Sequence, residues 1–225
     1  MNKTIKLLIL FLILFWVTPL MAHDVTSKDH ALLANGNLWA YLWVGAKHML
    51  TGYDHLLFLL GVLFYLRKTY DVVKFITAFT LGHSITLLTA TYLSIQINEY
   101  LIDAIIGFSV FYKGFENLGY FKKYLGFRAP NLLLMVWIFG LIHGLGLSSR
   151  LQSFENGSDR LIHKIITFNI GVEFGQIVAL IPIVYLISLI RKNKHYPAFY
   201  KAVNTYLLIA GIALICFQLM QYLRV

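Results

Sequence analysis

The chain has 225 residues, of which 59% are hydrophobic and only 13% charged; soluble globular domains carry roughly 25% charged residues, so water is excluded as the main solvent. Its formal net charge of +9 sits in short basic blocks between apolar runs rather than along one face, which speaks for membrane topology and against nucleic-acid binding. With Cys216 as its single cysteine, the chain can form no internal disulfide and no thiolate cage, so any metal must take nitrogen and oxygen ligands.

Residues 1–22, MNKTIKLLILFLILFWVTPLMA, place Lys3 and Lys6 ahead of an apolar stretch from Leu7 to Val17, followed by Pro19 and Ala22. That order is the pattern of a cleaved secretory signal peptide. The expected mature chain then begins with His23 and Asp24, where a free amine beside an imidazole can chelate a divalent cation. A short extracytoplasmic segment, 23–37, leads into a transmembrane domain over 38–225. Apolar runs near 38–66, 72–94, 99–119, 130–149, 164–190 and 202–222 reach about the 20 residues that a hydrocarbon core demands. The expected fold is therefore all-α, a polytopic bundle of six transmembrane helices after the signal peptide.

Within the first run, Trp39, Tyr41 and Trp43 read as interfacial anchors. In the third, Lys113 and Glu116 stand three residues apart and read as a local ion pair. The linkers 67–74, 113–128 and 191–201 hold most of the basic side chains, including Arg67, Lys68, Lys122, Lys123, Arg191 and Lys192. By the positive-inside rule these linkers are expected to face the cytoplasm, with both mature ends outside it, in an inner-membrane protein.

Ionisable side chains inside spans cost at least about 2.5 kcal/mol each on insertion scales, so they are functional candidates by default. They recur on four runs: His48, Asp54 and His55 in HMLTGYDH; Thr80, His83 and Ser84 in TLGHS; His143 in GLIHGLG; Asn169, Glu173 and Gln176 in FNIGVEFGQ. At about 1.5 Å rise per residue, His83, His143 and Glu173 each fall roughly 15–20 Å into their spans. His55 follows His48 by seven residues, nearly the same azimuth, whereas Asp54 points elsewhere unless the helix loosens at Gly52. Asn169, Glu173 and Gln176, at i, i+4 and i+7, share one helix face. Gly140 and Gly144 bracket His143, and Gly171 and Gly175 bracket Glu173, as small-xxx-small pairs that let helices touch. A lone histidine can simply hydrogen-bond a neighbouring helix. Several imidazoles at one depth satisfy each other poorly unless a metal or carboxylate joins them, and His48, Asp54, His55, His83, His143 and Glu173, with His23 outside, are the expected ligands. Thr80, Ser84, Asn169 and Gln176 are expected in support.

His48, five intervening residues and then Asp54-His55 match the H-x5-D-H motif of the HupE/UreJ family, and the chain resembles that family over essentially its whole length. A second family motif, F-H-G-x-[AV]-H-G-x-E, survives in part as Ile138 to Gly146, IFGLIHGLG. Gly140, His143 and Gly144 match, while Phe139 and Gly146 stand where the first His and the Glu would be. The chain thus resembles a divergent branch, in which Glu173 could supply the missing carboxylate. The resemblance implies a permease for a nickel- or cobalt-like cation, with metalloenzyme-maturation proteins or a second copy of the chain open as partners beside the lipid bilayer.

Two other classes compete with a permease. Three imidazoles could hold zinc with a free position for water while Glu173 or Asp54 acts as base, as in an intramembrane hydrolase with Ser84 supporting His83. Alternatively, the chain could be a non-catalytic accessory subunit whose polar groups serve helix association and bind no metal.

Overall fold

The computed structural model describes residues 27–34, 37–66, 69–152 and 161–224, and in this range the chain is helical with short connections. Helix α1 spans Ser27–Ala34, α2 Leu38–Thr51, α3 Tyr53–Leu63, α4 Thr69–Tyr92 and α5 Glu99–Asn117. A π-helical turn, Phe121–Leu125, precedes α6 at Leu132–Gln152, α7 at Leu161–Arg191 and α8 at Tyr196–Tyr222. The signal peptide and His23 lie outside the described residues.

Asparagines start three of these helices. The Asn37 side chain accepts from Trp39 N at 3.0 Å, Asn98 from Leu101 N at 3.3 Å, and Asn131 from Leu133 N at 3.0 Å, each satisfying an amide that the first turn leaves without a partner. Four helical stretches are long and apolar enough to cross a membrane: Tyr70–Tyr92, Leu132–Ser149, Ile162–Arg191 and Tyr196–Tyr222.

The run expected as one span over 38–66 is broken. At Gly52 the backbone leaves helical values (φ −74°, ψ 86°), ending α2 and starting α3. Gly52 N–H closes back on His48 O at 2.8 Å, and Leu56 N–H bonds Gly52 O at 3.1 Å, so the break leaves these backbone groups satisfied. Its φ is ordinary for any residue; glycine is needed for space. A Cβ there would lie 2.9 Å from His48 O and 3.0 Å from the His55 Nδ1.

Three helix pairs carry most of the packing: α2 with α7, α4 with α6, and α5 with α8. In the first two pairs the small-xxx-small positions are where the helices touch. A Cβ on Gly140 would run into Phe79 O, one on Gly144 into His83 O and Thr86 Oγ1, and one on Gly171 into Leu42 O. Short α3 lies among these pairs, with Asp54 through Leu63 all buried, so the two chemical groups at its start are held at the centre of the bundle.

Two peripheral expectations meet different fates. Lys113 and Glu116 do pair, at 2.8 Å and fully buried. Trp39 and Trp43 are exposed, as anchors should be, but Tyr41 is buried beneath α1 with its hydroxyl donating to Leu33 O at 3.4 Å. The segment before the first span is itself partly helical: α1 is clamped to α2 by Asp29, whose carboxylate receives Lys47 Nζ at 2.8 and 2.9 Å.

Candidate metal site

The break at Gly52 sets the geometry of everything around it. It places Asp54 in the first turn of α3, where the positive end of the peptide dipoles favours a carboxylate. Asp54 Oδ1 accepts both the backbone N–H of His55, at 2.7 Å, and His55 Nδ1, at 2.8 Å. A carboxylate in this position only accepts, so Nδ1 carries the proton and Nε2 is the lone-pair nitrogen.

His55 is the hub of the site. Its ring centroid stands 5.3 Å from that of His48 at the end of α2, 6.3 Å from His83 on α4 and 4.5 Å from His143 on α6. All four imidazoles and Asp54 are buried, His83 completely. The His143 Nδ1 lies 2.7 Å from Phe139 O one turn earlier, and because a carbonyl cannot donate, that contact sets the same tautomer as in His55. His143 Nε2 and both ring nitrogens of His83 make no hydrogen bond. Buried nitrogens left this way are costly in an apolar interior, and a cation would satisfy them.

Imidazoles that share an ion at about 2.0–2.1 Å hold their centroids roughly 4.5–6.5 Å apart, depending on the angle at the ion. His55 is within that range of each of the other three rings. As placed, no set of three or more His, Cys, Asp or Glu side chains among the described residues closes around one ion position. The donor chemistry and spacing fit a borderline cation; the ring orientations do not by themselves form a closed cage.

The expected supporting residues divide. Thr80 Oγ1 donates to Gln176 Oε1 at 2.8 Å, tying α4 to α7 beside the histidines. Asn169 is buried but turns its amide back to Ile165 O at 3.0 Å. Ser84 is half-buried and makes no bond to His83. Glu173 is half-buried at the edge of the face that carries Asn169 and Gln176, next to exposed Ile170 and Phe174, and the structure does not join it to the imidazoles. The reason is angular: α7 presents Phe168, Gly171, Val172 and Gly175 to its neighbours, and Glu173 falls beside that face rather than on it.

An aromatic wall was not anticipated from the sequence. The Phe79 ring lies 5.0 Å from that of His143, 6.0 Å from His55 and 6.3 Å from His83, and Phe58 lies 5.9 Å from His143. The available signal was a repeated F-x3-H: Phe79 with His83 on α4 and Phe139 with His143 on α6, each pair one turn apart. In both pairs the phenylalanine is buried with its histidine, which dries the site and strengthens any electrostatic contact inside it.

Removing the carboxylate behind His55 gives a direct check. In Asp54→Ala the imidazole loses the partner that sets its tautomer, and affinity of the purified protein for a divalent cation is expected to fall about 10- to 100-fold. Asp54→Asn, which keeps an acceptor without the charge, should fall in between. Isothermal titration with nickel(II) or zinc(II) measures both, and an unchanged affinity in Asp54→Ala would separate His55 from metal binding.

A family model described as HupE / UreJ protein matches residues 23–224. No curated protein and no solved structure matches the chain.

Proposed function

The chain belongs to the HupE/UreJ family, and from that premise we propose that it is a permease for a divalent transition-metal cation of the nickel or cobalt kind, using the His48, Asp54, His55, His83 and His143 cluster inside the bilayer. Family membership and the apolar helices make it a multi-pass membrane protein related to nickel and cobalt handling. The finer topology belongs to the proposal: α2 and α3 together form one crossing and α4 to α8 the other five, with the basic linkers in the cytoplasm and both mature ends outside the inner membrane.

One observation carries this reading. Three buried imidazoles, His48, His83 and His143, converge on that of His55 in the middle of a membrane bundle, and in His55 and His143 a hydrogen bond at Nδ1 sets Nε2 as the lone-pair nitrogen. Second partners of that kind, a carboxylate or a backbone carbonyl, are what metal-binding histidines use to hold their orientation. A broken helix supports transport in particular, because discontinuous helices bring ligands and backbone ends to the midplane of many secondary transporters. In this reading a cation captured outside, with His23 and Asp24 as a first contact, passes to His48 and then to His55, His83 and His143.

The intramembrane hydrolase is less well supported. It needs a carboxylate beside the ligands to take a proton from water. Asp54 is engaged with His55, and Glu173 is half-buried beside the packed face of α7 with no bond to an imidazole among the described residues.

Metal content of the purified protein tests the proposal. After incubation with nickel(II) or cobalt(II) and desalting, the unaltered protein should retain exchangeable metal near one equivalent per chain, and His143→Ala should retain almost none while keeping its helical circular dichroism. Equal and negligible metal in both would favour the accessory-subunit reading, and tight zinc with turnover of an amide or ester would favour the hydrolase.

A further inference from the structure

The end of the bundle that bears the basic linkers holds a second buried polar assembly, separate from the histidines. Lys113 Nζ and Glu116 Oε2 on α5 pair at 2.8 Å with their side chains 1% and 4% exposed. Around them Asn117 Nδ2 donates to Gly61 O at 2.8 Å and to Asn204 Oδ1 at 2.6 Å, while Tyr200 OH donates to Asn117 O at 2.8 Å. A buried ion pair of this kind adds little net stability, since removing both charges from water offsets their attraction. Its position calls for another account.

The pair lies between the histidine site and an open cleft. The stem of Lys113 packs on α3 at Gly61, where a Cβ would come within 3.0 Å of Lys113 Cβ. Gly61 is six residues from His55 along one helix, or about 9 Å. On the other side, Lys113 Nζ stands 4.5 Å from the centroid of Tyr65. Tyr65 in turn lines a cleft of about 430 Å³ shared with Phe64, Tyr196, Pro197 and Tyr200. Side chains therefore run in order from His55 along α3 to Lys113 and Glu116, then to Tyr65 and the cleft.

We propose that the Lys113–Glu116 pair is the inner barrier of the metal pathway. The ammonium sits on the carboxylate as a tethered stand-in for the cargo, and it repels a divalent cation coming from the histidines until it leaves Glu116. The arriving cation takes the carboxylate while Lys113 turns further onto the electron-rich face of Tyr65; the crowded positive charge of that state drives the cation on into the cleft, and its release restores the neutral pair. This rests on the permease reading above and adds to it a second station with a gate.

Flux and binding, measured separately, test the barrier. Proteoliposomes with a chelator dye inside and nickel(II) outside report flux, and the metal content of the detergent-purified protein reports the histidine site. Glu116→Gln should bind metal as the unaltered protein does but pass it at least tenfold more slowly. Lys113→Gln should bind equally and pass metal down its gradient several-fold faster. The exchanged variant Lys113→Glu with Glu116→Lys restores a pair, so its melting temperature should match the unaltered protein while its flux stays low. Flux at the unaltered level in Glu116→Gln, or full recovery of flux in the exchanged variant, would show that the pair only holds helices together and would overturn the barrier while leaving the permease reading intact. Failure of the unaltered protein to bind metal at all would instead remove that reading, and the barrier with it.

Discussion

Cells carrying His55→Ala are expected to lose accumulation of nickel(II) or cobalt(II) by at least about 100-fold, because loss of an outer partner alone costs a metal site about 10- to 100-fold and His55 is the ring at which all the others meet. The substitution removes more than a ligand. It leaves Asp54 without the Nδ1 proton it now accepts, and it opens a hole between the rings of His48, His143 and Phe79. The protein itself should persist in the membrane in normal amount, because the helix pairs are joined at glycine contacts that His55 does not make. Accumulation of radioactive nickel, normalised to protein detected in the membrane fraction, measures the effect. Unchanged accumulation in both His55→Ala and His143→Ala would defeat the permease reading.

The second large effect is expected at Gly144. A Cβ on that residue would collide with His83 O and with Thr86 Oγ1, which itself bonds Leu141 O at 2.6 Å and so bridges α4 to α6. Backbone cannot move aside as a side chain does, so Gly144→Ala should force the two helices apart at a cost of about 1–3 kcal/mol or more. The same displacement separates His83 from His143, so metal binding should fall along with thermal stability. Gly146→Ala is the matched control: its Cβ would meet Ile102 Cγ2 at 3.2 Å and Ile106 Cδ1 at 3.3 Å, ends of flexible side chains that can yield. A clear drop in the melting temperature of the detergent-solubilised protein is expected for Gly144→Ala and little change for Gly146→Ala. Equal effects from the two would show that the close approach of α4 and α6 is not what holds the site.

Much of the site was legible because ionisable residues are rare in apolar runs. His48, Asp54, His55, His83 and His143 stand out in the sequence for that reason alone, and a rise of about 1.5 Å per residue puts His83 and His143 at a similar depth. Glu173 has a comparable depth but lies beside the packed face of α7, because depth says nothing about azimuth. The aromatic wall was illegible for the opposite reason. Phenylalanine is ordinary in a span, so only the paired F-x3-H spacing hinted that Phe79 and Phe139 accompany the histidines. Tyr41 was misjudged as an interfacial anchor because a tyrosine near the end of an apolar run looks the same whether it meets lipid headgroups or lies beneath another helix such as α1.

By itself, the amino-acid sequence determined the solvent of this protein, its all-helical class, the places where small residues allow close approach and the ionisable residues that stand inside apolar runs. Those properties follow from composition and from the rise and period of one helix, which are local. Only the tertiary structure decided that the first apolar run breaks at Gly52, that Asp54 thereby serves His55, that α2, α4 and α6 bring their imidazoles to that of His55 on α3, and that Lys113 and Glu116 lie between them and a cleft. These depend on which face of each helix meets which neighbour, and a helix's own periodicity marks its buried face without specifying the partner that buries it.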